Sequence, residues 1–352
     1  MSQTQAPVQG VIDLHSHWFS PSSLRFLSER QSSPRLLPGA DGAPNLHRAG
    51  AGTTAQPFAL GNHWFDLDAR IEHFDQVGVA HQLLSWPTTL GIDAALSASE
   101  SLGLWRDYNN ELAGVVRQYP TRLSAVAALS TSDIQWSVGE LQRAHEELGL
   151  IGAVLPVNAF ASLAAASRFE PLLAKAQELG SHLYLHTGYA HPQVPGQPPV
   201  LLHSDAIEAR RVLDIAWQFA SATITLAHSD LLDRYPDVTV QIAMLGGAGI
   251  IANLVELSQV PGHFDAVGHS PRYQRLLFDT GAAGRGAQAI ALATRVLGAE
   301  QLVFGSDYAP VPDIAPGIAQ VLAAPISAAE RELILRGNGQ RLLASKGISL
   351  GS

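Results

Sequence analysis

The chain has 352 residues, of which 46% are hydrophobic and 15% charged, and its formal net charge is −9. That is enough apolar surface for a large buried core, and an acidic balance without a Lys/Arg cluster argues against nucleic acid and anionic membrane as partners. Cysteine is absent, which removes disulfides, thiolate metal sites and cysteine nucleophiles together.

Met1 to Gly10 is polar and lacks the charged and apolar regions of a signal peptide, so a cytoplasmic protein is expected. The first strand is expected near Val8–His15 and runs into Asp13-Leu14-His15-Ser16-His17. Histidines at i and i+2 of an extended strand point to one side and can close on one metal ion. Trp18–Asp66 follows, rich in Gly, Pro, Ser and Ala, and reads as a long irregular insertion.

Strands then alternate with helices. Further strands are expected near His81–Trp86, Leu123–Ala128, Gly152–Pro156, Leu183–His186, Val238–Met244, Leu276–Asp279 and Gln301–Gly305. Helical periodicity covers Leu67–Val77, Ala94–Tyr119, Ser132–Leu148, Phe169–Leu179, Ala206–Leu232, Gly249–Ser258 and Arg285–Leu297. Two more helices, near Ser327–Arg336 and Gly339–Ala344, close the chain. The Ala-rich Ala287–Leu297 is too short to span a bilayer. Eight β–α alternations predict an α/β chain folded as one (β/α)8 barrel domain over residues 1–352, with 18–66 as a lid-like insertion after the first strand. No GxGxxG follows the first strand, which weakens a dinucleotide-binding reading.

In such a barrel the strand ends form the active face. The first strand supplies His15 and His17 there, the fifth His186 and the eighth Asp307. Three imidazoles and a carboxylate suit one divalent metal, zinc before manganese or iron(II). His63, Trp64 and Arg48 in the insertion, and His191 in the proline-rich loop 187–202, are candidates to grip substrate. The segment Val260–Tyr273, with His263, His269 and Arg272, is a further candidate. Asp279, at the seventh strand's end, reads as structural.

The chain resembles the amidohydrolase superfamily (amidohydrolase-related family 2), in the branch similar to aminocarboxymuconate-semialdehyde decarboxylase. The resemblance rests on Asp13-Leu14-His15-Ser16-His17, the segment Asp68 to Val79, Asn109-Asn110, Leu185-His186-Thr187-Gly188, Asp233 to Val238, Gly246-Gly247, Phe304 to Tyr308 and Gly337-Asn338. It implies a distorted TIM barrel, one divalent metal on His15, His17, His186 and Asp307, and a homodimer. It departs at Met244, where the family usually carries a catalytic histidine in His-x-Gly-Gly. A thioether has no exchangeable proton. His228, His191 or Asp307 would then carry the proton. The implied reaction is decarboxylation of a small unsaturated or aromatic carboxylate by a carbon–carbon lyase. The alternatives are hydrolysis of a small ester, lactone or amide with Asp307 as base, and a non-catalytic metal-binding barrel.

Overall fold

A computed structural model describes residues 8–40, 42–49, 57–199, 205–258, 260, 262, 270–281 and 286–350. The strands forecast from the alternation are present and parallel. They are Val11–His17, Val79–Ser85, Leu123–Ala125 continuing as Ala127–Ala128, Gly152–Pro156, His182–His186, Thr239–Ile242, Leu276–Asp279 and Leu302–Val303. The first three pair in order, and the third continues through the fourth to the eighth. Between eighth and first, the Leu14 N–H donates to Phe304 O at 2.9 Å and Asp307 N–H to His15 O at 2.9 Å. A parallel bridge between Ser16 and Tyr308 completes the ring. The result is a distorted (β/α)8 barrel. Every residue of the first strand is buried, as expected where helices cover a parallel barrel and side chains fill its interior.

The observed elements differ from the forecast where local chemistry intervenes. Residues 94–119 do not form one helix. Ile92–Ala95 ends, and Ala98–Gln118 starts afresh on a capping box in which Ser97 and Glu100 satisfy each other's backbone donors. The helix forecast to reach Leu232 stops at Ala227. The sixth strand ends at Ile242, because Met244 and Leu245 take left-handed φ of 56° and 52°.

Within 18–66 the described residues are ordered structure rather than irregular loop. They form a helix, Pro21–Glu29, capped by Ser20, and a short antiparallel sheet of Arg35–Pro38, Pro44–His47 and Phe58–Ala59. Leu36, Leu46, Leu60 and Trp64 are buried beneath it. Among the described residues no helix is long and apolar enough to cross a membrane.

Candidate metal centre at the barrel mouth

His15 and His17 share a face of the first strand, His186 is the last residue of the fifth, and Asp307 follows the eighth. Their ligand atoms all lie within 4.8 Å of one another. Nε2 of His17 is 3.2 Å from Nε2 of His186 and 3.2 Å from Oδ1 of Asp307, which is also 3.2 Å from Nε2 of His15. Tetrahedral bonds of ~2.05 Å to one ion place donor atoms roughly 3.3 Å apart. Nε2 of His15 and Oδ1 of Asp307 are buried and have no hydrogen-bond partner. Such atoms are costly unless something occupies the point they share. The donor set therefore fits one divalent cation, and it is the one such group among the described residues.

Neighbouring acceptors fix the tautomer of each imidazole. Ser85 Oγ donates to Ser16 O at 2.8 Å, so it accepts from His17 Nδ1 at 3.0 Å. Thr88 Oγ1 donates to Thr187 O at 2.8 Å, so it accepts from His186 Nδ1 at 3.1 Å. His15 Nδ1 donates to Asp279 Oδ1 at 3.0 Å. All three rings thus carry hydrogen on Nδ1 and turn a bare Nε2 to the common point, the arrangement that orients metal-bound histidines.

The backbone around the quartet is held as firmly. Asp307 is a non-glycine residue at φ 62°, a conformation that persists only where surroundings impose it. Asp13, fully buried, accepts from Ser306 N–H at 2.9 Å, from Ser306 Oγ at 2.6 Å and from Gln82 Nε2 at 2.6 Å. Gln82 in turn accepts from Arg70 Nη1 at 2.7 Å, while Arg70 Nη2 donates to His17 O at 2.6 Å. Arg70 thus reaches both the His-x-His strand and, through Gln82 and Asp13, the residue before Asp307. Its guanidinium also lies 4.6 Å from the Tyr308 ring centroid. Close approach demands glycine at two points. A Cβ on Gly305 would stand 2.5 Å from His15 Cβ, and one on Gly281 2.4 Å from His15 Nδ1.

Electrostatics agree with ligation. Burial, joined by the neighbouring imidazoles, holds His186 well below the ordinary histidine range, and burial also lowers His17. Burial opposes charge on His15 too, but Asp279 and Asp307 outweigh it and raise it to about 10. Burial disfavours the Asp307 carboxylate, yet His15 and His17 hold it far below the usual range. Two carboxylates that favour a proton on His15 favour a divalent cation in its place.

The family profile described as "Amidohydrolase" matches residues 12–344, carrying all four candidate ligands. The chain belongs to this amidohydrolase family. Among its relatives, the gamma-resorcylate decarboxylase of Rhodococcus jostii (strain RHA1) is 26% identical over 317 residues, covering 81% of this chain and 92% of that protein. The apo structure of Metarhizium anisopliae IDCase matches with a TM-score of 0.73 at 17% identity, over 97% of this chain and 98% of that one. A dihydroxybenzoic acid decarboxylase of Polaromonas sp. JS666, solved with manganese and 2-nitroresorcinol, matches with a TM-score of 0.68 at 20% identity, over 96% and 97%. The structural likenesses show the shared barrel fold.

The other candidates are dispersed. His228 caps the C-terminal end of Ile207–Ala227, the helix that runs back from the mouth after the fifth strand. It therefore lies at the opposite, N-terminal end of the barrel, exposed and 3.0 Å from Tyr273 OH. The chain direction cannot bring it to the quartet. Arg272 sits at that same end, paired with Asp233, and His263 and His269 lie outside the described residues. Trp64 is buried against Phe19 and Phe58 and packs the insertion. His63 is at the mouth, its ring 6.1 Å from that of Tyr308. His191 also overlies the mouth, its N–H bonded to Thr131 Oγ1 at 2.7 Å. Arg48 lines a cavity with Thr88 and Thr187. Ser85 and Thr88 were missed in the sequence, and Asp279 was read only as structural although it touches His15 directly.

Proposed function

We propose that this amidohydrolase-family enzyme decarboxylates a small aromatic carboxylate, as a metal-dependent carbon–carbon lyase. The observation that carries the reading is the quartet itself: three imidazoles locked with Nε2 inward beside a buried carboxylate at the mouth of the barrel. Its relatives by sequence include decarboxylases of gamma-resorcylate, and its structural neighbours include a 5-carboxyvanillate decarboxylase.

His15, His17, His186 and Asp307 would hold the cation. When bound, it supplies positive charge that steadies the substrate's carboxylate and developing negative charge. Zinc suits three imidazoles, and manganese is the ion in two related structures. Arg48, with His63 and His191 across the mouth, would orient the acid. Decarboxylation breaks the ring–carboxylate bond, leaves its electron pair on the ring carbon and places a proton there as CO2 departs. Met244 has no proton to give, and we assign this transfer to Asp307, which is ionised at rest and would take a proton from water at the mouth and pass it to the ring carbon. Hydrolysis with Asp307 as base is the second reading, favoured by Met244, because water attack needs only that one carboxylate.

Lid action by 18–66 over the mouth, and assembly as a homodimer, belong to the same proposal. The helix Ile207–Ala227 leaves Leu213 at 66%, Trp217 at 59% and Ile224 at 40% exposure along one outward stripe, which supports a partner there. Light scattering after gel filtration tests the dimer.

The activity test is CO2 release from 2,6-dihydroxybenzoate and 5-carboxyvanillate, alongside hydrolysis of matched esters and lactones, using protein of measured metal content. Loss of CO2 release on chelation and its recovery with Mn2+ or Zn2+ is expected. Metal-replete protein that cleaves esters or lactones and releases no CO2 would transfer the assignment to hydrolysis.

A further inference from the structure

The barrel interior holds a line of polar side chains that the metal quartet does not account for. Barrel interiors are usually filled by layers of branched aliphatic residues. Here His182 opens the fifth strand on the face that carries Tyr184 and His186, and Thr239 and Gln241 share one face of the sixth. The two strands pair with Thr239 opposite His182 and Gln241 opposite Tyr184. His182, Gln241, Asp279 and His15 are each wholly buried.

Hydrogen bonds join these side chains without a break. His182 Nδ1 lies 3.0 Å from Thr239 Oγ1, and its Nε2 lies 3.2 Å from Gln241 Oε1. Gln241 Nε2 donates to Asp279 Oδ2 at 2.8 Å and to Leu14 O at 3.0 Å. Asp279 Oδ1 accepts from His15 Nδ1. One backbone carbonyl sets the direction of the bonds. Leu14 O can only accept, so the amide nitrogen of Gln241 faces it and Oε1 is left towards His182. That oxygen needs a donor, and burial keeps the His182 ring neutral, with one N–H to place. The hydrogen therefore sits on Nε2, and Nδ1 accepts from Thr239. Turned the other way, Gln241 would set its oxygen against Leu14 O and the Asp279 carboxylate.

The line meets His15 twice. One arm ends on the carboxylate that holds the His15 ring, the other on the carbonyl of the residue before it. Gln241 uses both amide hydrogens there, and His182 is the donor that keeps its oxygen turned away. A buried network in which every member is satisfied rigidifies its surroundings, and here the surroundings include a candidate metal ligand.

We propose that His182 is a positioning residue of the metal centre, acting through Gln241 on Asp279 and Leu14, and so on His15. Four residues of strand, roughly 13 Å, separate it from His186, so it acts only through these neighbours. The inference rests on the metal-dependent reading and is indifferent to which bond the enzyme breaks.

The test titrates the full chain, stripped of metal, with Co2+. Competition against a chelator dye gives the affinity, and the visible Co2+ spectrum reports ligand geometry. His182→Leu is expected to alter the spectrum and to lower affinity about tenfold, the low end of the effect of partners behind metal-bound histidines. His182→Gln, whose amide nitrogen can stand where Nε2 stood, is expected to restore both. Gln241→Met removes the link, so adding His182→Leu to it should change affinity less than about twofold. His81→Leu deletes an equally buried histidine that is bonded to Thr121 and Ser124 instead. It should lower the melting temperature and leave Co2+ affinity and spectrum as in the parent. Parent-like binding by His182→Leu, no recovery with His182→Gln, additive losses in the double variant, or an equal metal defect in His81→Leu would overturn the proposal. A parent chain that binds no Co2+ sinks the metal reading and this inference together. The expected pattern of metal binding without CO2 release from any aromatic acid sustains the inference and sinks the decarboxylase reading alone.

Discussion

Nδ1 of His15 donates to Oδ1 of Asp279 at 3.0 Å, across 264 residues of chain. The same oxygen accepts from Met244 N–H at 3.0 Å and Gly281 N–H at 2.9 Å, while Oδ2 accepts from Gln241 Nε2 at 2.8 Å. One buried carboxylate thus orients a candidate metal ligand and ties together the ends of the first, sixth and seventh strands.

Asp279→Asn should therefore weaken the metal site. The amide oxygen can still face His15, but the amide nitrogen then meets the Gln241 donor. Loss of a partner behind a metal-bound histidine typically costs 10–100-fold in metal affinity. Competition against a chelator dye measures it. Parent-like affinity in the folded variant would reduce Asp279 to a structural role.

Gly305→Ala tests the same site sterically. The added Cβ would meet His15 Cβ at 2.5 Å and Asp279 Cβ at 3.0 Å, and both neighbours are buried and unable to swing away. Overpacking of this kind costs about 1–3 kcal/mol. A lower melting temperature and reduced metal content are expected together. A variant with both values unchanged would mean that His15 is freer than its contacts indicate.

Much of the site was legible because a barrel converts sequence order into position. His15 and His17 are two apart on a strand, and His186 and Asp307 end or follow strands, so period and alternation place them at one mouth. His228 misled because its segment also precedes a strand. The helix before it runs downward, and its last turn belongs to the barrel base. Ser85 and Thr88 were illegible for another reason. Serine and threonine occur everywhere, and only the folded geometry shows which one meets an imidazole. The sheet of Arg35–Pro38 and Pro44–His47 was hidden because four-residue strands that carry Pro and Asn, with glycines between them, look like loop.

Acid should destabilise the fold through two buried histidines away from the metal. His81 donates from Nδ1 to Thr121 O at 3.0 Å and faces Ser124 Oγ at 2.9 Å. His182 lies between Thr239 Oγ1 at 3.0 Å and Gln241 Oε1 at 3.2 Å. Burial lowers His81 to about 4 and His182 to about 3. Below the unfolded value near 6.5 the unfolded chain binds protons that the folded chain refuses. Their contribution is complete above pH 6.5 and is lost as pH falls towards 4 and 3, at about 1.4 kcal/mol per pH unit for each group. Urea unfolding between pH 7 and 5 in one metal buffer measures the slope. His81→Gln should make it shallower by about one proton, and an unchanged slope would remove His81 from this account.

Met244 offers the sharpest test of where the proton comes from. Its N–H binds the Asp279 oxygen that His15 also binds, so residue 244 stands one hydrogen bond behind the quartet. Its φ of 56° is one that histidine tolerates better than most side chains. Met244→His introduces a titratable ring without demanding a new backbone. Positioned acid–base groups contribute about 10²–10⁴-fold to rate. If proton delivery limits the parent enzyme, kcat for CO2 release should rise at least tenfold with little change in KM, and a new ionisation should enter the kcat–pH profile near 6.5. If kcat and its pH profile stay as they were, Asp307 already supplies the proton at full rate, and the methionine marks a reaction that never required the histidine.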